Sequence, residues 1–211
     1  QTLVFMGMGE PMLNLDHVLE SVRRIAGPEL GALGWRQVTV STVGIIPGIE
    51  AMAASGLNIH LAVSLHAPDD ETRARLLPMG RRFRAADILA AADRYQAATG
   101  RPVTIQYCLL KDVNDSPDQA HLLADLLGGR RMHVNLLRYN PTGAGLSGAT
   151  YEPSPDASAD TFIAARAWTI GMSSRSTGGS ERTVTDTKLP FFSAPLYTSS
   201  TCVAPGKSRI Q

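Results

Sequence analysis

Apolar runs of strand length alternate with amphipathic segments along most of the chain, and this alternation constrains the fold more than any other feature. Leu3 to Met8 reads as the first strand. Leu15, Val18, Leu19, Val22 and Ile25 then recur at helical spacing, and that helix stops near Gly27-Pro28. Arg36 to Thr42 alternates as a strand does, and "IIPGIEAMAAS" follows as a short helix. The next strand is "NIHLAVSLHA", residues 58 to 67. Asp69 and Asp70 are placed to cap "DDETRARLLP", a helix ended by Pro78. Ala85 to Thr99 is a helix, and "PVTIQYCLL" is a strand rich in β-branched and aromatic residues. "SPDQAHLLADLLGG" carries a Ser cap, a Pro at its first position and Gly-Gly at its end. "HVNLLRYNP", 133 to 141, is the last clear strand. Parallel neighbours need crossover helices, so this order predicts a parallel α/β sheet.

Such a sheet is either open and doubly wound or curved into a barrel. A barrel gathers polar residues at the C-terminal ends of its strands. Glu10, Ser41 and Thr42, Ser64 and His66, Asn114 and Asp115, and Asn140 each follow a different strand. No phosphate-loop Gly-Lys-Ser/Thr follows a strand, and no Gly-x-Gly-x-x-Gly joins a strand directly to a helix. The barrel or half-barrel is therefore the expected architecture, with the open sheet as the alternative.

With 211 residues the chain is long enough for one sizeable core. Its net charge of +1 provides no global field for nucleic acid, although a local basic face is compatible with it. No apolar run is long enough to span a bilayer and no signal peptide is read. Two cysteines, Cys108 and Cys202, are too few for a disulfide framework or a metal site of their own, and a reducing cytoplasm is the expected compartment. Cys108 lies in an apolar run and is expected to be a buried thiol. Gln1-Thr2-Leu3 leads straight into a strand with no initiator Met, which points to a fragment.

"VFMGMGEPMLN" raises the sharpest question of chemistry. A carboxylate ends an apolar strand behind two glycines. Glu10 serves either as a helix-start charge or as a partner for an ammonium group, such as that of an amino acid or of S-adenosylmethionine. Gly7 and Gly9 leave room for close approach, and Met6 and Met8 are expected as core filler. Ser41 and Thr42 either cap the next helix or bind a ligand. His66 is either a structural hydrogen-bonding residue or a general base, and Asn140 either a turn residue or an amide donor. Arg73, Arg75, Arg81, Arg82 and Arg84 form a basic cluster, read either as solvated surface or as phosphate contacts.

In order and spacing, "GMGEP", "STVGIIP", "SLHAPDDETRARLLP", "DVND" and "VNLLRYNP" resemble the radical-SAM adenine-C2 methyltransferases of 23S rRNA, which in some species also act on tRNA. The match runs from about Leu3 to Ala165, and the sister adenine-C8 methyltransferases share these motifs. The resemblance implies a partial (β/α)6 TIM-like barrel of radical-SAM type, incomplete at its N-terminus and lacking its first strand. It implies S-adenosylmethionine and a [4Fe-4S] cluster as cofactors, a reductant for that cluster, 23S rRNA and possible tRNA as substrates, and a monomer with no membrane partner. It places Gly9 and Glu10 at the methionine amino group. Ser41, Ser64, Leu65, His66 and Asn140 become further cofactor contacts. The implied chemistry methylates a cysteine near the C-terminus and then draws a radical from that methyl group to attack the adenine ring.

The sequence departs from that pattern at two places. The Cys-x-x-x-Cys-x-x-Cys cluster motif is absent and would precede residue 1. The methyl-carrying Cys of an "ACGQL" motif is also absent, and Cys202, in "STCVAPG", is not assigned its role. No catalytic residue and no metal ligand is therefore assigned. Residues 1–170 are read as the barrel fragment, strands two to six. Residues 171–211 are read as an irregular tail, either disordered or frame-shifted. The expected activity is the family's, with the 211-residue chain inactive by itself. The alternatives are a noncatalytic module that binds S-adenosylmethionine or RNA, the C8 enzyme, and an ordinary α/β metabolic enzyme.

Overall fold

A computed structural model describes residues 2–27, 33–141, 149–155 and 157–165 of the chain. Five strands, β1 (Leu3–Phe5), β2 (Val38–Thr42), β3 (His60–Ser64), β4 (Val103–Leu109) and β5 (Met132–Arg138), form one sheet in the order β1-β2-β3-β4-β5. All four pairings are parallel. Between the strands run α1 (Leu15–Ala26), α2 (Ile46–Ala54), α3 (Asp70–Leu76), α4 (Ala85–Thr99) and α5 (Pro117–Leu127).

The strand order decides between the two expected architectures. Each strand lies beside its predecessor and the sheet always grows in the same direction. Right-handed crossovers then place every helix on one face. A doubly wound sheet reverses its strand order and covers both faces; this sheet does neither. Val38, Val40, Leu61, Val63, Val103, Ile105 and Val134 pack in one core with Val22 of α1, Ile49 and Met52 of α2, Ile88 and Leu89 of α4, and Leu123 and Leu127 of α5. The opposite face carries Thr39, Ser41, His60, Ser64, Thr104 and Asn135, which are only half-buried. One dry face and one wetter, polar face is the arrangement of a barrel arc.

Helix starts follow the sequence signals. Asp69 Oδ1 accepts the Thr72 N–H at 2.7 Å and caps α3, a contact whose loss costs about 1 kcal/mol. Asp70, the other candidate cap, instead accepts the Ala85 N–H at 2.8 Å and ties the start of α4 to α3. Ser116 caps α5 with Pro117 in its first turn. Gly100 closes α4 in the left-handed region at φ 68°.

Three expectations need correction. The first strand ends at Phe5 rather than Met8, because Gly7 and Gly9 take φ of 115° and 94° and turn the chain out of the sheet. Met6 and Met8 are not core filler: they are 46% and 64% exposed. Arg73 does not belong to the surface cluster, because it is fully buried.

Cys108 is buried, as expected. Residues 157–165 are helical and seat Phe162 against Tyr107, ring centroids 5.1 Å apart. The tail expected at 171–211, with Cys202, and residues 142–148 lie outside the described residues. Among the described residues no helix is long and apolar enough to cross a membrane.

Candidate functional site

At the C-terminal end of β1, β2 and β3 lies a cavity of about 300 Å³, at the lower end of the range for small-molecule sites. Phe5, Met6, Gly7, Met8, Gly9 and Glu10 line one side, and Ser41, Thr42, Val43 and Ser64 the other. The glycines at 7 and 9 have positive φ, a conformation that costs an L side chain roughly 1–2 kcal/mol. A Cβ at either position would meet no protein atom within 4 Å. The backbone there borders open space rather than another segment of protein.

Glu10 is anchored in this wall. Its Oε1 accepts the Met12 N–H at 3.0 Å and caps the 3₁₀ turn Pro11–Asn14. Its Oε2 accepts the Val43 N–H at 2.8 Å, which ties the end of β1 to the loop after β2. A carboxylate offers about four acceptor sites, so both oxygens keep capacity for a donor in the cavity. The helix-start and ligand readings of Glu10 are therefore compatible in one geometry.

Ser41 and Thr42 divide the two roles open to them. Thr42 Oγ1 accepts the N–H groups of Gly44 and Ile45, at 3.0 and 3.2 Å, and organises the turn into α2. Ser41 faces the cavity, with its Oγ 3.5 Å from that of Ser64. Residues of β2 and β3 thus put two hydroxyls opposite the Glu10 carboxylate.

His66, Leu65 and Asn140 do not line the cavity. Leu65 is fully buried. Asn140 is exposed just beyond β5. His66 takes a left-handed backbone, φ 59°. Its Nδ1 accepts the Cys108 N–H at 3.0 Å, so the proton of the neutral ring sits on Nε2. Burial, with a smaller contribution from the Arg73 charge, lowers its pKa to about 4. The ring is neutral at physiological pH and fixes the β3–α3 loop to β4.

Asn114 completes that lock. Its Nδ2 donates to the carbonyls of His66 and Cys108, at 2.7 and 2.8 Å, and its Oδ1 accepts the Leu110 N–H at 2.7 Å. It is fully buried, so its place at a strand end serves the scaffold. Asp115 likewise accepts from Ser154 and Ser158 and holds the following segment in place.

Sequence reasoning missed Arg73 as part of this site. Its Nη1 donates to the Phe83 carbonyl at 3.0 Å and its Nη2 to the Val43 carbonyl. Val43 is thus held by Glu10 through its N–H and by Arg73 through its C=O. Nothing in "DETRARLL" marks the first arginine as the buried one.

The residues fit one implied cofactor and not the other. An amino group in the cavity would find the Glu10 carboxylate, and hydroxyls would find Ser41 and Ser64. An iron–sulfur cluster takes thiolates. The sequence holds two cysteines, Cys108 and Cys202. Among the described residues no group of three His, Cys, Asp or Glu is placed to hold a metal ion.

Known proteins share this framework. A relative from Opitutus terrae, named a probable dual-specificity RNA methyltransferase RlmN 1, is 69% identical over 164 residues, 78% of this chain and 46% of its own length. A Salinispora tropica protein named a probable dual-specificity RNA methyltransferase RlmN is 44% identical over 182 residues, 85% of this chain and 48% of its own. The chain spans about half the length of these curated relatives. The crystal structure of a radical SAM methyltransferase from Sphaerobacter thermophilus superposes with a TM-score of 0.74 at 39% identity, over 80% of this chain and 48% of that one. A domain of a pyruvate-formate lyase-activating enzyme from Bacteroides vulgatus shares the fold, with a TM-score of 0.58 at 18% identity. The sequence profile of the radical SAM superfamily matches residues 1–124, which include the cavity wall and all of β1 to β4; the chain belongs to that superfamily.

Proposed function

We propose that this chain carries the S-adenosylmethionine-binding part of a radical RNA methyltransferase that modifies C2 of an adenine in 23S rRNA and in tRNA. The observation that carries the reading is the Glu10 carboxylate, fixed by two backbone N–H groups at the edge of a cavity bordered by glycine backbone. The names of the relatives support the substrate class.

S-adenosylmethionine, when bound, supplies the methyl group and the adenosyl fragment for radical chemistry. The chain's own residues bind and orient it. Glu10 receives the ammonium of the methionine moiety. A charge-assisted contact of this kind contributes about 1.5–3 kcal/mol. Gly9 lets the ligand approach the backbone, and Ser41 and Ser64 hydrogen-bond its polar atoms. Leu65, His66 and Asn140 do not line the cavity, and in this reading they are the expected contacts for the part of the ligand that extends beyond it.

The [4Fe-4S] cluster of this chemistry needs three thiolates to leave one iron open. Two cysteines cannot supply them, so no step is assigned to this polypeptide through the cluster. That count favours a second reading: by itself the 211-residue chain binds S-adenosylmethionine without turnover. Anaerobic reconstitution with iron and sulfide is then expected to leave no stoichiometric cluster, and a full cluster would contradict this reading.

Nucleoside mass spectrometry tests the activity. RNA is taken from a host that lacks its own adenine methyltransferases and expresses the locus encoding this sequence. 2-Methyladenosine in 23S rRNA and tRNA supports the proposal. 8-Methyladenosine moves the assignment to the sister enzymes, and neither product leaves the binding-only reading.

A further inference from the structure

We infer that Arg75, Arg81 and Arg82 form a docking surface for the phosphate backbone of RNA beside the Glu10 cavity, an inference that rests on the RNA methyltransferase reading. Between Arg73 and Asp87 the sequence holds no carboxylate. The structure sorts the arginines of this stretch. Arg73 is buried and Arg84 pairs with Asp70 at 3.2 Å. Arg75, Arg81 and Arg82 remain exposed, and among the described residues none of the three has a carboxylate partner. Arg24, Arg94, Arg130 and Lys111, elsewhere on the surface, are each paired with an acid. Arg23, Arg36 and Arg131 have no carboxylate partner among the described residues either, so what sets this stretch apart is three such cations with no acid between them in the sequence.

The backbone that carries these arginines is tied down at several points. Arg81 closes the 3₁₀ turn Pro78–Arg81, which folds back on α3. The Leu77 N–H donates to the Arg73 carbonyl at 2.9 Å and the Arg82 N–H to that of Met79 at 3.0 Å. Gly80 packs so tightly that an added Cβ would lie 2.5 Å from the Arg73 carbonyl oxygen. Asp70 pins the far end through the Ala85 N–H. The guanidinium of Arg82 lies over the Phe83 ring, 5.3 Å from its centroid, which restricts its orientation. The planar guanidinium group suits two-point contact with phosphate.

The surface also adjoins the cavity. The buried Arg73 side chain bonds both Val43, in the cavity wall, and the carbonyl of Phe83, the residue after Arg82. A polynucleotide that delivers one base to the cavity must route its backbone over neighbouring surface. RNA is favoured over an acidic protein because the unpaired cations sit beside a cavity for a cofactor that acts on RNA in the proposed reaction.

The test titrates a fluorescein-labelled RNA hairpin with the 211-residue chain and with the triple variant Arg75→Gln/Arg81→Gln/Arg82→Gln, across a range of salt concentrations. Each lost phosphate contact reduces the slope of log K against log salt by about 0.7–0.9. The triple variant is therefore expected to lower the slope by about 2–3 and to weaken low-salt binding at least tenfold. The double variant Arg23→Gln/Arg24→Gln, on α1, should change neither quantity beyond the loss of general charge. Thermal melts should be unchanged, because all three side chains are exposed.

An unchanged slope and affinity in the triple variant overturns the inference. Failure of the parent to bind RNA at low salt overturns it as well. So does tight binding of an oligoglutamate peptide at this surface with RNA refused, which would assign it to a protein partner. S-adenosylmethionine binding, measured on the same preparations, separates the two levels. Retained cofactor binding with no effect on RNA removes only the docking surface. Loss of both in the parent removes the methyltransferase reading itself.

Discussion

Glu10 and Arg73 hold the same residue from opposite sides. The Val43 N–H donates to Glu10 Oε2 at 2.8 Å, and the Val43 carbonyl accepts from Arg73 Nη2. The carboxylate proposed to bind the cofactor is therefore positioned by a loop that a buried cation also fixes. Arg73 thus reaches the Glu10 carboxylate through one residue's backbone.

Arg73→Met tests that coupling. It removes the donors to the Val43 and Phe83 carbonyls while filling similar volume. Two unsatisfied acceptors cost about 2–6 kcal/mol together when fully buried, and the half-burial of Val43 and Phe83 puts the expected loss at the lower end of that range. Urea unfolding should show that loss as a lower midpoint with the same m-value. A midpoint equal to the parent's would show that the two carbonyls find other partners.

The glycines of the site should respond in a graded way. At Gly9, alanine meets only the cost of φ 94°, since no atom lies within 4 Å of its Cβ. The expected stability loss is about 1–2 kcal/mol. At Gly44, φ is 100° and the new Cβ would lie 2.5 Å from Ile88 Cδ1. Gly44→Ala should therefore lower the thermal midpoint further than Gly9→Ala. Gly9→Ala should instead show its larger effect on S-adenosylmethionine affinity. The reverse ranking would contradict the assignment of open space at Gly9.

The first of these arguments was out of reach of the sequence. "DETRARLL" gives Arg73 and Arg75 equal claims to solvent. What buries Arg73 is the arrival of Val43 and Phe83, one far upstream and one after an intervening turn. Met6 and Met8 were misread for a related reason. An apolar run does not show where its strand stops, and Gly7 and Gly9, at positive φ, carry both methionines out of the sheet to the cavity. The βα order and the Ser116 and Asp69 caps were legible because each depends on neighbours within a few residues; Glu10 could be placed after the first strand, but its tie to Val43, 33 residues on, could not be read. The strand order then followed from local connections, since each strand pairs with the next one in the chain.

His66 should make stability depend on pH in a defined window. Its folded pKa of about 4 lies below the ordinary value of 6.5. Between those values the unfolded chain binds more protons than the folded one, so stability rises with pH. The contribution is complete above 6.5 and is lost as pH falls toward 4. His66→Asn suits the left-handed backbone and removes the titrating ring. Denaturation midpoints measured from pH 7 to pH 4 should fall less steeply for this variant than for the parent. Parallel pH profiles would contradict a neutral, acceptor role for the ring.

The central claim is that the Glu10 cavity holds the methionine end of S-adenosylmethionine, and isothermal calorimetry with the purified chain tests it most directly. S-adenosylmethionine should bind with one-to-one stoichiometry. Glu10→Gln, confirmed as folded by circular dichroism, should weaken binding at least tenfold, corresponding to a lost charge-assisted contact of about 1.5–3 kcal/mol. Equal affinity in the two proteins, or no binding by the parent, would contradict the account.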